Sequence, residues 1–141
     1  MRILKLLSLQ NLITNDIGKV SKNNSVFSAL LSPQGKYLFD FFIIKNDEGY
    51  LLECEGNFVR ELISNLTKYK IRSKIEIKDL SSSYVVGVIN FENFKIIQKE
   101  LGQQEMTLRY RDSPIFVDPR DSELGARIIS PLEKLYLTIK K

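Results

Sequence analysis

Asp40 is the residue whose surroundings most directly suggest chemistry. It lies in residues 37–44, a run of aromatic and aliphatic side chains that is typical of a strand. Because alternate side chains of a strand point to opposite faces, both faces would be apolar except at Asp40. A buried unpaired carboxylate is costly, so Asp40 should be paired, hydrogen-bonded, protonated or placed at the lip of a cavity. At such a lip, Asp40 could accept hydrogen bonds from two parallel N–H groups of a planar ligand. The alternative is that Asp40 is an edge-strand residue that faces water.

Two arginines near the end of the chain are the next candidates. Arg120 and Arg127 flank the acidic residues Asp121 and Glu123. A guanidinium fork matches a carboxylate or a phosphate group. For Arg120 we favour pairing with Asp118 or a neighbouring acid, because such ion pairs are common. Arg127 lies next to a predicted strand and is the better candidate for a residue that reaches a cavity.

A basic run in the middle of the chain has two interpretations. It consists of Lys68, Lys70, Arg72, Lys74 and Lys78. The run could hold RNA or another anionic ligand, or it could be a solvated helix end and strand face. We favour the solvated face, because charge runs usually are solvated and this run lacks clustered stacking platforms. We therefore do not expect nucleic-acid binding.

The composition excludes several kinds of site. The 141 residues include no His and one Cys, which excludes histidine triads, most zinc sites and thiolate-held clusters within the chain. Neither common glycine-rich phosphate loop is present. We interpret Cys54 as a small apolar filler, and a single Cys fits a reducing compartment. We expect a cytoplasmic protein without a membrane span, with the mitochondrial matrix as the alternative location.

These residues require a framework of hairpins and helices. Ser32-Pro33-Gln34-Gly35 fits a type I turn between two strands. The patterns predict a short helix over residues 3–13, ended by residues 14–18, and a possible bulge at Gly87. They also predict strands at 26–32, 36–44, 50–55, 74–78, 84–90, 106–110, 115–117 and 126–129, and helices after Asn57, from 91 to Gly102 and from Pro131. The fold class predicted for residues 1–141 is a single α+β domain, with helices packed on a largely antiparallel sheet.

Three segments, in this order, resemble the YgfZ family. They are Leu-Gln-Asn-Leu-Ile-Thr-Asn-Asp at 9–16, Leu-Leu-Ser-Pro-Gln-Gly-Lys-Tyr-Leu-Phe-Asp-Phe at 30–41, and Asp-Pro-Arg at 118–120 followed by Leu-Gly-Ala-Arg at 124–127. Members of this family bind folate and are built like the aminomethyltransferase of the glycine cleavage system. The resemblance covers nearly the whole chain. It implies tetrahydrofolate as a cofactor, with Asp40, Arg127, Arg72 and Phe39 as candidate folate-binding residues.

The resemblance also implies a role for these residues. Asp40 would accept hydrogen bonds from the amide-like edge of the pterin ring, an aromatic such as Phe39 would stack on that ring, and Arg72 would attract the glutamate tail. The family continues for about as long again and carries Lys-Gly-Cys-Tyr-x-Gly-Gln-Glu there, which no segment of this chain matches. We therefore expect an incomplete folate-binding domain.

The function implied by the resemblance is folate-assisted maintenance or assembly of iron–sulfur enzymes, with iron–sulfur proteins as partners and no catalysis by this chain alone. One alternative is an aminomethyltransferase, but there the segment matching Phe39-Asp40 carries two aspartates. Another is a basic module that binds RNA or protein, and a third is the product of a split gene. Because residues 37–44 are apolar on both faces, we expect a homo-oligomer. Because an incomplete domain cannot enclose its ligand, we expect it to bind folate no better than about millimolar.

Overall fold

The computed structural model describes residues 2–6, 13–47, 49–69 and 76–134. The helices are α1 (Val59–Tyr69) and α2 (Phe91–Leu101). The strands are β1 (Arg2–Leu6), β2 (Val26–Leu31), β3 (Tyr37–Asn46), β4 (Gly49–Cys54), β5 (Ile77–Asp79), β6 (Tyr84–Ile89), β7 (Thr107–Tyr110), β8 (Ser113–Val117) and β9 (Ala126–Pro131).

The strands form two antiparallel sheets. The first sheet has the order β2-β3-β4-β1-β5, and the second has the order β6-β9-β8-β7. Ser32 and Gly35 close the β2–β3 turn, where the Gly35 amide donates to the Ser32 carbonyl at 2.9 Å. The predicted hairpin and the α+β class with an antiparallel sheet are therefore confirmed, although the strands divide between two sheets.

Strand β3 is covered on both faces, which explains its composition. Phe39, Phe41 and Ile43 lie in one core with Leu62 and Leu66 of α1. The alternate side chains, including Phe42 and Ile44, lie in a second core with Phe116 and Ile129 of the other sheet. Because both faces are buried within the chain, the apolar composition of this strand gives no reason to expect self-association.

The second sheet carries α2 on its outer face. Phe94 of α2 is fully buried against Leu108, Ile115 and Ile128. The helix ends as predicted at Gly102, whose φ of 63° is a left-handed conformation that glycine adopts without strain. The layers therefore run α1, first sheet, second sheet, α2. No helix in the described ranges is long and apolar enough to cross a membrane.

The prediction of a helix over residues 3–13 is wrong where the structure describes it. Strand β1 pairs with β4 on one side and with β5 on the other, so it is an inner strand of the first sheet. Short apolar runs fit either element, and here pairing with distant strands decides. Residues 7–12 lie outside the described residues. Asp16 does not end a helix, because its Oδ1 accepts from the Gly18 amide at 2.8 Å and caps a 3-10 turn, Ile17–Lys19.

Three smaller predictions also need correction. The α-helix predicted after Asn57 begins only at Val59, because Asn57 lies in a 3-10 turn, Gly56–Phe58. Gly87 makes no bulge, since the β6–β9 register is continuous from Tyr84 to Ile89. Pro131 ends β9, and residues 132–134 are helical. The apolar positions predicted farther along that helix lie outside the described residues.

Candidate functional site

A cavity of about 240 Å³ opens at one end of the layer between the two sheets. It brings together Asp40 and Arg127, two of the four residues that the sequence singles out. The lining residues are Phe27, Asp40, Phe41, Phe42, Glu53, Cys54, Glu55, Arg120 and Arg127. The cavity therefore combines aromatic walls with carboxylates and guanidinium groups.

Strand register places these side chains side by side. Phe27 of β2 pairs with Phe42 of β3, which in turn pairs with Glu53 of β4. Residues directly opposite each other in antiparallel strands share a face, so the three form one row that faces the second sheet. In that sheet Arg127 pairs with Phe116, and the rings of Phe116 and Phe42 lie 5.6 Å apart. The inner end of the cavity is thus built from one row of each sheet.

Asp40 lies one step farther out on the same face of β3, at the mouth of the cavity. Its side chain is exposed, and its Oδ2 accepts a hydrogen bond from the Tyr37 hydroxyl at 2.9 Å. Tyr37 is largely exposed, and slight desolvation together with this hydrogen bond raises the pKa of its hydroxyl, which therefore remains a donor at neutral pH. Asp40 therefore lies at the lip of the cavity, which is one of the placements that its pattern left open, and Tyr37 orients its carboxylate.

Glu53 and Arg127 join the two sheets at the inner end of the cavity. Arg127 Nη1 donates to Glu53 Oε1 at 2.7 Å, and the two side chains are 13% and 1% exposed. Burial raises the pKa of the Glu53 carboxyl, and the neighbouring Arg127 charge opposes that rise. Arg127 Nε also lies 3.8 Å from Asp118 Oδ2, so its guanidinium contacts two buried carboxylates.

The loop between β8 and β9 positions the other arginine. Asp118 is buried, and its two oxygens accept from Arg120 Nε at 2.9 Å and from Arg120 Nη2 at 2.6 Å. Burial alone would raise the pKa of Asp118, but the hydrogen bonds and charge of Arg120, together with Arg127, hold that pKa below its usual range. Arg120 is thus paired with Asp118, as we favoured, and it also lines the cavity.

The backbone at position 125, which precedes Ala126 and Arg127, requires a glycine. Its φ is +84°, and a Cβ there would lie 2.2 Å from the carbonyl oxygen of Ile89. Only glycine permits this close approach. The loop can then turn back into β9 with Arg127 facing the first sheet.

The guanidinium groups also cover aromatic rings. The Arg120 guanidinium lies 4.9 Å from the ring centres of both Phe27 and Phe42. The Arg127 guanidinium lies 4.6 Å from the Phe42 ring. Such cation–π contacts stabilise a charge near an apolar surface. Planar cations and rings thus form the walls, and carboxylates lie at the mouth and at the inner end.

Of the other two predicted site residues, the structure describes only Phe39, and Phe39 does not line this cavity. Phe39 is buried against α1 on the opposite face of β3, where its ring packs 6.0 Å from Phe58. Because neighbours in a strand face opposite ways, position 39 faces away from the cavity and position 40 faces it. Arg72 lies outside the described residues, as do Lys70 and Lys74 of the basic run. Lys78 in that run pairs with Glu76 at 2.8 Å.

Glu53 is the site residue that sequence reasoning missed. It follows Leu51 and Leu52 in an apolar strand, so the argument applied to Asp40 would also have selected it. Its partner Arg127 is 74 positions away, and no local pattern reveals that pairing. Cys54 beside it is buried, which agrees with its interpretation as an apolar filler.

A larger cavity of about 420 Å³ lies elsewhere between the sheets and is lined by none of the predicted site residues that the structure describes. Its charged groups include Arg109, which pairs with Asp47, and Lys134, which pairs with Asp112. These contacts account for the charges without a ligand. Among the described residues no group of three His, Cys, Asp or Glu could hold a metal ion.

Comparison with known proteins adds a fold and a set of relatives. No protein-family model matches the chain. It is 32% identical over 141 residues to the mitochondrial iron–sulfur cluster assembly factor IBA57 homologue of Mycosarcoma maydis, covering 90% of this chain and 32% of that protein. It is 23% identical to the Dictyostelium discoideum homologue of the same name, covering 89% of this chain and 37% of that protein. The chain thus spans about a third of the length of these relatives.

The structural comparison defines the fold. The glycine cleavage system aminomethyltransferase T of Bartonella henselae superposes with a TM-score of 0.70 at 13% identity, covering 99% of this chain and 42% of that one. The chain therefore has the fold of the corresponding part of an aminomethyltransferase, as the sequence analysis predicts.

Proposed function

We propose that this chain forms part of a folate-binding protein that acts in the maintenance or assembly of iron–sulfur enzymes. The observation that carries the proposal is the cavity between the sheets, because it unites Asp40 and Arg127 with planar walls. The names of the relatives support the iron–sulfur role, and the aminomethyltransferase fold supports the folate role. Because those relatives are mitochondrial, we propose the mitochondrial matrix rather than the cytoplasm.

The donor set of the cavity fits the pterin ring of tetrahydrofolate. The aminopyrimidinone ring of tetrahydrofolate is planar and carries N–H donors along one edge, from which the Asp40 carboxylate can accept hydrogen bonds. The guanidinium planes of Arg120 and Arg127 offer flat surfaces on which a ring can stack. The volume of about 240 Å³ is below the roughly 300–1,000 Å³ of sites for drug-sized ligands, so the ring would enter and the tail would extend outside.

Titration of the chain with tetrahydrofolate tests this proposal. Because the cavity is small and open at the mouth, we expect weak but measurable binding, with a dissociation constant of about millimolar. Asp40→Asn should weaken binding by about 1.5–3 kcal/mol, the contribution of a hydrogen bond to a charged group. Binding that is undetectable, or unchanged in Asp40→Asn, would contradict the folate site.

A chimaera tests the iron–sulfur role. The segment of the Mycosarcoma maydis relative that matches this chain would be replaced by this chain and expressed in cells lacking the relative. We expect the chimaera to restore the activity of iron–sulfur enzymes and Asp40→Asn to reduce that restoration. Failure of a stably expressed chimaera would contradict the proposed role.

A further inference from the structure

Glu53 is a buried carboxyl group with one oxygen unused. Its side chain is 1% exposed, and Oε1 accepts from Arg127. Among the described residues no donor lies within hydrogen-bond distance of Oε2. Buried polar atoms in proteins nearly always have a partner, so an unsatisfied buried carboxylate oxygen requires an explanation.

Ion pairing alone does not explain this arrangement. An arginine paired with one carboxylate often binds both oxygens through two parallel N–H groups. Arg127 instead donates to one oxygen of Glu53 and directs its Nε toward Asp118, 3.8 Å from Oδ2. The pair fixes the Glu53 side chain and leaves Oε2 as a buried acceptor without a donor among the described residues.

The position of Glu53 indicates what this acceptor would meet. Glu53 lines the cavity, and it pairs across the strands with Phe42, two residues from Asp40 on the same face of β3. A ligand entering past Asp40 would therefore approach Glu53 at the inner end. The walls beside it are the Phe42 ring and the guanidinium groups, so a flat ligand would enter edge first.

We propose that Glu53 Oε2 accepts a hydrogen bond from the N–H edge of a planar heterocycle and thereby selects rings that carry donors on that edge. This inference rests on the proposed folate site and adds a second, inner acceptor to Asp40. It assigns the ligand class by chemistry: a ring with an exocyclic amino group next to a ring N–H, as in a 2-aminopyrimidinone. A ring with a carbonyl at the amino position would place an acceptor against a carboxylate.

Pterin and lumazine form the matching probe pair, because lumazine is the same bicyclic ring with a carbonyl where pterin has the 2-amino group. We expect the wild-type chain to bind pterin at least about tenfold more tightly than lumazine, which corresponds to about 1.4 kcal/mol. Glu53→Gln supplies an amide that can donate as well as accept, so the preference should fall to near unity. Glu61→Gln, on the exposed face of α1, should keep the wild-type ratio.

The outcomes separate this inference from the folate proposal. If wild type binds tetrahydrofolate but does not discriminate between pterin and lumazine, the inner acceptor is wrong and the folate site stands. If the preference exists but Glu53→Gln retains it, Glu53 is not its source. If wild type binds neither tetrahydrofolate nor pterin, both proposals fail. If Glu53→Gln does not fold, the absence of a wild-type preference for pterin would still overturn the inference.

Discussion

Arg127→Met should destabilise the fold by an amount that depends on pH. Arg127 donates to a carboxyl that is 1% exposed, so its removal leaves Glu53 buried without its cation. Removing one partner of a buried ion pair costs about 3–5 kcal/mol. Methionine keeps an apolar stem of similar length beside Phe42, so loss of packing adds little.

The pH dependence follows from the pKa of Glu53. Burial raises that pKa from its ordinary value of 4.5, and the Arg127 charge opposes the rise, so the pKa should rise further in Arg127→Met. A raised pKa in the folded state stabilises the fold at pH values below the unfolded pKa. This stabilisation is lost as the pH rises through the folded pKa. The variant should thus be weakest near pH 8 and recover toward pH 5, by at most about 1.4 kcal/mol per pH unit.

Urea unfolding followed by far-ultraviolet circular dichroism measures this effect, since the chain has no Trp. The matched control is Arg109→Met, because Arg109 pairs at 3.6 Å with an Asp47 side chain that is 79% exposed. That exposed pair should contribute less than about 1 kcal/mol. Glu53→Met combined with Arg127→Met should be more stable than Arg127→Met alone, because the Glu53 carboxylate is no longer buried without its cation. An Arg127→Met cost equal to that of Arg109→Met, with no change between pH 5 and pH 8, would refute the reasoning.

Two further predictions concern the loop that carries the arginines. Gly125→Ala should lower the free energy of unfolding by at least about 3 kcal/mol, because the backbone there favours glycine and the new Cβ would meet the Ile89 carbonyl. Gly35→Ala should lower it by about 1–2 kcal/mol, because only its φ of +79° is unfavourable. Equal costs in urea unfolding would contradict this. Arg120 lowers the pKa of Asp118, so the charged Asp118 stabilises the fold at pH values above its unfolded pKa, near 3.8. This stabilisation is lost as the pH falls through the folded pKa. In acid titrations, the stability of Asp118→Asn should therefore approach that of the wild type.

Local chemistry was sufficient to predict the hairpin that contains Asp40. Ser32 and Gly35 specify a turn, and the β-branched and aromatic residues after it specify a strand. The same reasoning failed for β1, because that strand depends on pairing with β4 and β5, both more than 40 positions away. Local periodicity contains no information about such partners.

The candidate site likewise contains residues that local sequence predicts and residues whose contacts depend on distant parts of the chain. Asp40 could be predicted because one carboxylate in an apolar strand conflicts with its surroundings. Arg127 could be placed near a strand, but its contact with Glu53 requires the two sheets to stack in one register. The approach of Arg120 to Phe27 and Phe42 depends on a bend in the chain after Asp118, which the sequence indicates only as a turn.

The cavity and the contact between the sheets are built from the same residues, and this determines which measurements are informative. Phe42, Glu53 and Arg127 join the two sheets and also line the cavity, so a substitution there changes stability and ligand affinity together. Loss of affinity in such a variant does not distinguish a lost contact with the ligand from a loosened fold. Asp40 is exposed and bonded to Tyr37, so its affinity change can be interpreted directly. For Glu53 the ratio between two rings of one shape is informative, because a loosened fold would weaken both.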